Sequence, residues 1–213
     1  MDRLFKLPPC LIGRTLLAVL ILIGLPSGTG KAEEVTPPLD SVIRKIQSTY
    51  ESTMDWRAEF QQTMTISGFD SPVRSSGTLY IKKPGKLRWD YQEPSRDQIM
   101  VNMDTIWVFT ADQKQVIVSS FDEISDSQLP LHLLMGFGKL NRDFHVEWSD
   151  PAAPLDGEAP ILRLTPREPA QGITHLLVKV HPETFMITHL TLFESSGNRS
   201  RFVFSKIKKN KGL

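Results

Sequence analysis

Along the first part of the chain, apolar side chains recur at Leu39, Val42, Ile43, Ile46 and Tyr50. Those positions stand at i, i+3, i+4, i+7 and i+11, one face of an amphipathic helix. Pro37 and Pro38 fit just ahead of its first turn. After Met54 the period changes to two. Ala58, Phe60, Met64 and Ile66 alternate with Arg57, Glu59, Gln61, Thr63 and Thr65, and only Gln62 interrupts the apolar set. This predicts a strand with one dry face. Further strands are expected over 77–83, 86–91, 98–103, 105–110, 114–119, 144–148, 161–166, 173–180, 186–194 and 200–207, between breaks rich in Pro and Gly. Leu87, Trp89 and Tyr91 alternate cleanly, whereas 105–110 is apolar on both faces. Short strands at this spacing predict a mainly β (α+β) domain, an antiparallel sheet or barrel of about ten strands.

Residues 121–142 break the rhythm. Ser125-Asp126-Ser127 is a candidate helix cap. The stretch Leu129 to Gly138 is apolar, with no charge before Lys139, and predicts a short helix or helical loop. Phe60, Trp89, Tyr91, Trp107, Phe109, Trp148, Phe193 and Phe202 are candidates for one interior. Two readings of that interior stay open. One is an ordinary packed core. The other is a ligand cavity, since a curved sheet of eight or more strands often encloses one.

The N-terminus changes the picture of where the chain works. Arg3, Lys6 and Arg14 precede an apolar run from Thr15 to Leu25, broken by Pro26-Ser27-Gly28 and followed by Gly30-Lys31-Ala32. This is the three-part pattern of a secretory signal, 1–32, cleaved after Ala32. The run is short for a helix spanning a hydrocarbon core of about 30 Å, which disfavours a transmembrane anchor. Cys10, the single cysteine, precedes the run, so it is not placed as a lipidation site and would leave with the signal. The expected mature domain is 33–213.

Charge then excludes some classes. Lys plus Arg is 25 and Asp plus Glu is 24. Cleavage takes four basic residues and one acidic residue from those totals, leaving 21 and 23, a net charge of −2. A balance so near zero argues against a dedicated nucleic-acid binder. One cysteine excludes a disulfide scaffold and a Cys-based zinc site. The five histidines, 132, 145, 175, 181 and 189, form no metal-helix pair with Glu, and there is no nucleophile elbow or phosphate loop. Asp122/Glu123 and Asp104/Asp112 fall in expected turns. Asn198-Arg199-Ser200 matches a glycosylation acceptor in an expected hairpin turn. No catalytic site, cofactor or metal site is expected.

Three blocks of residues carry a resemblance. They are the export signal with its following amphipathic helix, Trp56-Arg57-Ala58-Glu59-Phe60-Gln61-Gln62, and Gly77-Thr78-Leu79-Tyr80-Ile81-Lys82-Lys83-Pro84-Gly85-Lys86-Leu87-Arg88-Trp89. With Tyr91 to Pro94 and Gln98 to Val108, they resemble the periplasmic outer-membrane lipoprotein carrier (LolA) family from about Leu39 to Ile207. The resemblance implies an open antiparallel half-barrel with a helical lid over a hydrophobic concavity. It implies a monomeric, non-enzymatic periplasmic chaperone that binds the acyl chains of triacylated lipoproteins. Such a carrier collects cargo from an inner-membrane ATP-driven release complex and delivers it to an outer-membrane receptor lipoprotein.

On that basis the lid is expected over Leu129–Phe137, contributing Leu133, Leu134, Met135 and Phe137. Alternation assigns Phe60, Leu79, Ile81, Leu87, Trp89, Ile99, Val101 and Phe109 to the lipid-binding lining, an orientation that a slip of one residue would invert. Two departures from the family pattern stand out. Lys83 occupies the place of an Arg that latches the lid, so Lys83 is the expected latch, though without the planar fork of a guanidinium. The family's further strand after 202–207 is expected to be missing, which would leave an open edge. Two other classes stay in view: a related half-barrel module that senses lipoproteins or envelope components, and an exported hydrolase with two converging carboxylates.

Overall fold

The computed structural model describes residues 37–121, 129–136, 139–149, 161–168 and 172–213. The expected export signal, the cap at 125–127 and the lid residue Phe137 lie outside the described residues.

Helix α1 spans Leu39–Ser52 and buries the face read from its spacing, Val42, Ile43, Ile46 and Tyr50. Six strands follow: β1 (Asp55–Thr65), β2 (Val73–Lys82), β3 (Lys86–Glu93), β4 (Gln98–Asn102), β5 (Thr105–Thr110) and β6 (Gln115–Ser120). Then come α2 (Leu129–Met135) and α3 (Leu140–Asp143). The chain finishes with β7 (Phe144–Trp148), β8 (Ile161–Pro166), β9 (Ile173–Val180), β10 (Ile187–Glu194) and β11 (Arg199–Lys209).

All eleven strands form one antiparallel sheet in the order β6-β5-β4-β3-β2-β1-β11-β10-β9-β8-β7. The sheet is open, with β6 and β7 at its edges. Two meanders therefore meet at the β1–β11 pair, and the β6-to-β7 connection must cross from one edge to the other. That connection carries α2 and α3. The buried residues of α2 belong to the same cluster as those of α1 and the strands, so α2 lies on the core face.

The expected open edge does not fall at β11. β11 lies between β1 and β10, pairing Trp56 with Lys209 and Thr65 with Arg199 on one side and Leu190 with Phe202 on the other. It has both neighbours, so no open edge arises there.

Alternation along β1 puts Trp56, Ala58, Phe60 and Gln62 inward. Gln62 looked like a break in the apolar set. Its carbonyl instead accepts a hydrogen bond from the Tyr91 hydroxyl at 3.0 Å, which satisfies a polar group the core would otherwise penalise. Burial, reinforced by Asp97, pushes the Tyr91 hydroxyl up to about 12, which keeps it a donor. Gly77 faces Phe60 across the β1–β2 pair. A Cβ there would lie 2.0 Å from the Asp90 carbonyl oxygen and 2.8 Å from the Phe60 ring, so only glycine allows β2 and β3 to approach under that ring.

Candidate functional site

The site grows from the inward faces of β1–β4 and β11. Across the β2–β3 pair Leu79 meets Trp89 and Ile81 meets Leu87. Trp89 then pairs with Ile99 and Leu87 with Val101. Phe60, Leu79, Ile81, Leu87, Trp89 and Val101 are all buried, Leu79 at 0% exposure, and Ile99 packs against the same cluster half-buried. The structure thus brings together seven of the eight expected lining residues.

Phe109 is the exception. Val101 pairs with Ile106 and Ile99 with Val108, so Ile106 and Val108 are the inward residues of β5. Phe109 stands opposite Gln98, on the outer face. Trp107 shares that face, opposite Met100 and Val118, and Phe193 of β10 also faces outward, opposite Arg199 and His175. A strand apolar on both sides carries no alternation to read, and the one-residue choice inverted the face.

Trp89 is the hub of an aromatic cluster. Its ring centroid lies 4.9 Å from Phe60, 5.3 Å from Phe202, 6.4 Å from Phe204 and 6.4 Å from Tyr91. Trp56 extends the cluster, edge-on to both Phe204 and Tyr50 at 6.3 Å. Trp56, Phe204 and Tyr50 were not among the expected lining residues. Trp56 and Phe204 sit in phase with the alternation of β1 and β11, so that signal was present in the sequence. The indole N–H of Trp89 is buried with no hydrogen-bond partner among the described residues.

Two helices cover this surface. From α2 come Leu131, Leu133, Leu134 and Met135, all buried, with Leu134 at 0% exposure. Gly136 ends the helix with φ of 74°, and a Cβ there would lie 3.4 Å from Cβ of Tyr50 and 3.7 Å from Cε of Lys83. The ends of α1 and α2 therefore meet at the Lys83 stem.

Lys83 makes its hydrogen bonds to α1. Its ammonium donates to the carbonyl oxygens of Tyr50, at 2.5 Å, and Glu51, at 3.2 Å. These are carbonyls of the last turn of α1, which carries no basic residue of its own. A cation at that end satisfies free carbonyls and opposes the helix dipole. Burial lowers the Lys83 pKa, and Glu51 partly restores it. The expected lid latch is, in this conformation, a clamp on α1 that lies beside the end of α2.

Among the described residues no group of three His, Cys, Asp or Glu could hold a metal ion, and no helix is long and apolar enough to cross a membrane. Asn198, of the expected glycosylation pattern, bridges two turns, accepting from the Ser67 N–H and donating to Glu194.

The site is thus a dry sheet face covered by a short apolar helix. Residues 51–213 match the family model described as outer membrane lipoprotein carrier protein LolA. The outer-membrane lipoprotein carrier protein of Nitrosomonas europaea is 25% identical over 83% of this chain and 83% of its own. That of Chromobacterium violaceum is 27% identical over 83% and 82%. Among solved structures, a LolA superfamily protein from Nitrosomonas europaea covers 81% of this chain and 94% of its own at 13% identity, with a TM-score of 0.41. With the family model matching most of its length, this chain belongs to the outer-membrane lipoprotein carrier family.

Proposed function

We propose that the protein is a periplasmic, non-enzymatic chaperone that ferries acylated lipoproteins from the inner to the outer membrane. In this reading α2 swings off the core face and acyl chains take its place. The chains lie against Phe60, Leu79, Ile81, Leu87, Trp89, Ile99 and Val101, and Leu133, Leu134 and Met135 repack over them. The observation that carries the reading is the cover itself: an apolar sheet face capped by a short apolar helix on the crossover between the edge strands β6 and β7.

The energetics suit a carrier. Exposing four buried Leu or Met side chains costs roughly 1.5–3 kcal/mol each. Withdrawing acyl chains from water returns about 0.8 kcal/mol per methylene. Cargo therefore outweighs the lid, while the lid's own burial competes with cargo and keeps release feasible. Cargo would come from an inner-membrane ATP-driven release complex and pass to an outer-membrane receptor lipoprotein.

The test is native mass spectrometry of the exported protein mixed with a triacylated lipoprotein. A one-to-one complex that keeps the lipoprotein from aggregating is expected. A folded protein that captures neither the lipoprotein nor free acyl chains would overturn the reading.

A further inference from the structure

The outer face of the sheet, opposite the helices, carries a second feature. Strand register lays a row of side chains across it. Arg74 of β2 pairs with Thr63 of β1, Thr63 with Arg201 of β11, Arg201 with Thr191 of β10, and Thr191 with Leu177 of β9. The neighbouring row runs from Thr65 to Arg199 to Phe193. Between the two rows lies a cavity of about 270 Å³. Three guanidinium groups and three threonines line it, with Leu177 and Phe193 as its apolar wall and no carboxylate among the described residues. Neither Arg74 nor Arg199 forms an ion pair with a described residue.

Thr191 is the informative member. It is 1% exposed, and its hydroxyl is buried with no hydrogen-bond partner among the described residues. A buried hydroxyl is normally paired, and a valine would fill the same volume in a strand without that penalty. A hydroxyl kept beside three guanidiniums suits a ligand rich in acceptor oxygens. Guanidiniums pair well with such oxyanions, often through two parallel hydrogen bonds.

We propose that this cavity is a binding site for a phosphate-class oxyanion. Arg74, Arg199 and Arg201 supply the charge, Thr191 donates from the floor, and Leu177 and Phe193 flank the carbon skeleton that the phosphate esterifies. A soluble phosphate ester and the headgroup of an anionic phospholipid share this chemistry. The site faces away from the acyl-chain surface and is independent of the carrier reading.

Calorimetric titration of the exported protein with inorganic phosphate and with glycerol phosphate, at low ionic strength, tests the site. Saturable one-to-one binding is expected. It should weaken at least tenfold in Arg74→Gln/Arg199→Gln and several-fold in Thr191→Val, a substitution that keeps shape and strand propensity. Arg57→Gln removes one positive charge from the outer face of β1 outside the cavity and should leave binding unchanged. Co-sedimentation with vesicles of phosphatidylglycerol in phosphatidylcholine, against phosphatidylcholine alone, separates the sources. Retention competed by glycerol phosphate identifies a headgroup, and phosphate binding without retention identifies a soluble ester. Absence of phosphate binding, equal binding by Thr191→Val and wild type, or an equal loss in Arg57→Gln would each overturn the proposal. If the double variant fails to fold, Thr191→Val decides alone.

Discussion

Helices α1 and α2 cover the same sheet face and are held in different ways. Polar contacts tie α1 down at several points. The Ile187 N–H donates to the Tyr50 hydroxyl at 3.2 Å, and the Thr49 hydroxyl donates to the Thr184 carbonyl at 3.1 Å. The Leu140 N–H donates to the Gln47 side chain at 3.3 Å, Lys83 clamps the last turn, and the Lys45 ammonium lies 5.0 Å from the Phe185 ring centroid. By contrast, α2 is seven residues long and turns Leu131, Leu133, Leu134 and Met135 into the core. Hydrogen bonds fix direction and register. Apolar burial is non-directional and is satisfied equally by another apolar body. In the proposed function this contrast makes α1 part of the wall and α2 the part that a ligand would replace.

The largest effect that would sharpen this contrast is in the core beneath α1. Ile46→Ala should cost about 2–5 kcal/mol, read as a lower urea midpoint with an unchanged slope. Leu134→Ala removes a side chain of the same volume, also fully buried. It should lower global stability less, while amide exchange in α2 accelerates and that in α1 does not. Equal midpoint shifts from the two variants, with α2 exchanging only on global unfolding, would break the distinction.

Next in size is Tyr50→Phe. Burial raises the Tyr50 pKa, and the hydroxyl stays neutral as the acceptor for a buried amide. Its loss leaves the Ile187 N–H unpaired, at roughly 1–3 kcal/mol in denaturant unfolding. Lys83→Met should cost about 1 kcal/mol by removing the cation from the α1 terminus. Exchange should rise in the last turn of α1 before it rises in α2. The reverse order would make Lys83 a lid latch rather than a clamp on α1.

The smallest effect concerns pH. His175 stacks on Phe193 at 4.3 Å on the outer face, and burial, with Arg163 nearby, holds its pKa below the ordinary 6.5. Between the folded value and 6.5 the unfolded chain holds the extra proton. Stability should therefore fall as pH drops from 6.5 through the folded value, and be fully present above 6.5. His175→Gln should flatten that slope. An unchanged slope would remove His175 from the pH dependence.

Where one face of an element is dry and the other wet, the residue pattern alone places its side chains. The spacing from Leu39 to Tyr50 and the alternation through Leu87, Trp89 and Tyr91 each correspond to a buried face, because burial imposes the period of the element on the apolar residues. That logic stops at β5, where Ile106, Trp107, Val108 and Phe109 are apolar in succession, and only pairing with Ile99 and Val101 assigns the inward pair. It stops again at Lys83, whose partners lie more than thirty residues away on α1.

Local periodicity thus determines the helix, most strands and the apolar lining, since each depends on neighbours within a few positions. Tertiary structure alone decides the rest. It places β11 between β1 and β10 and carries α2 over the core face. It also gathers Arg74, Thr191, Arg199 and Arg201 around one cavity. These are long-range register effects, in which residues a hundred positions apart become neighbours only once the sheet is assembled.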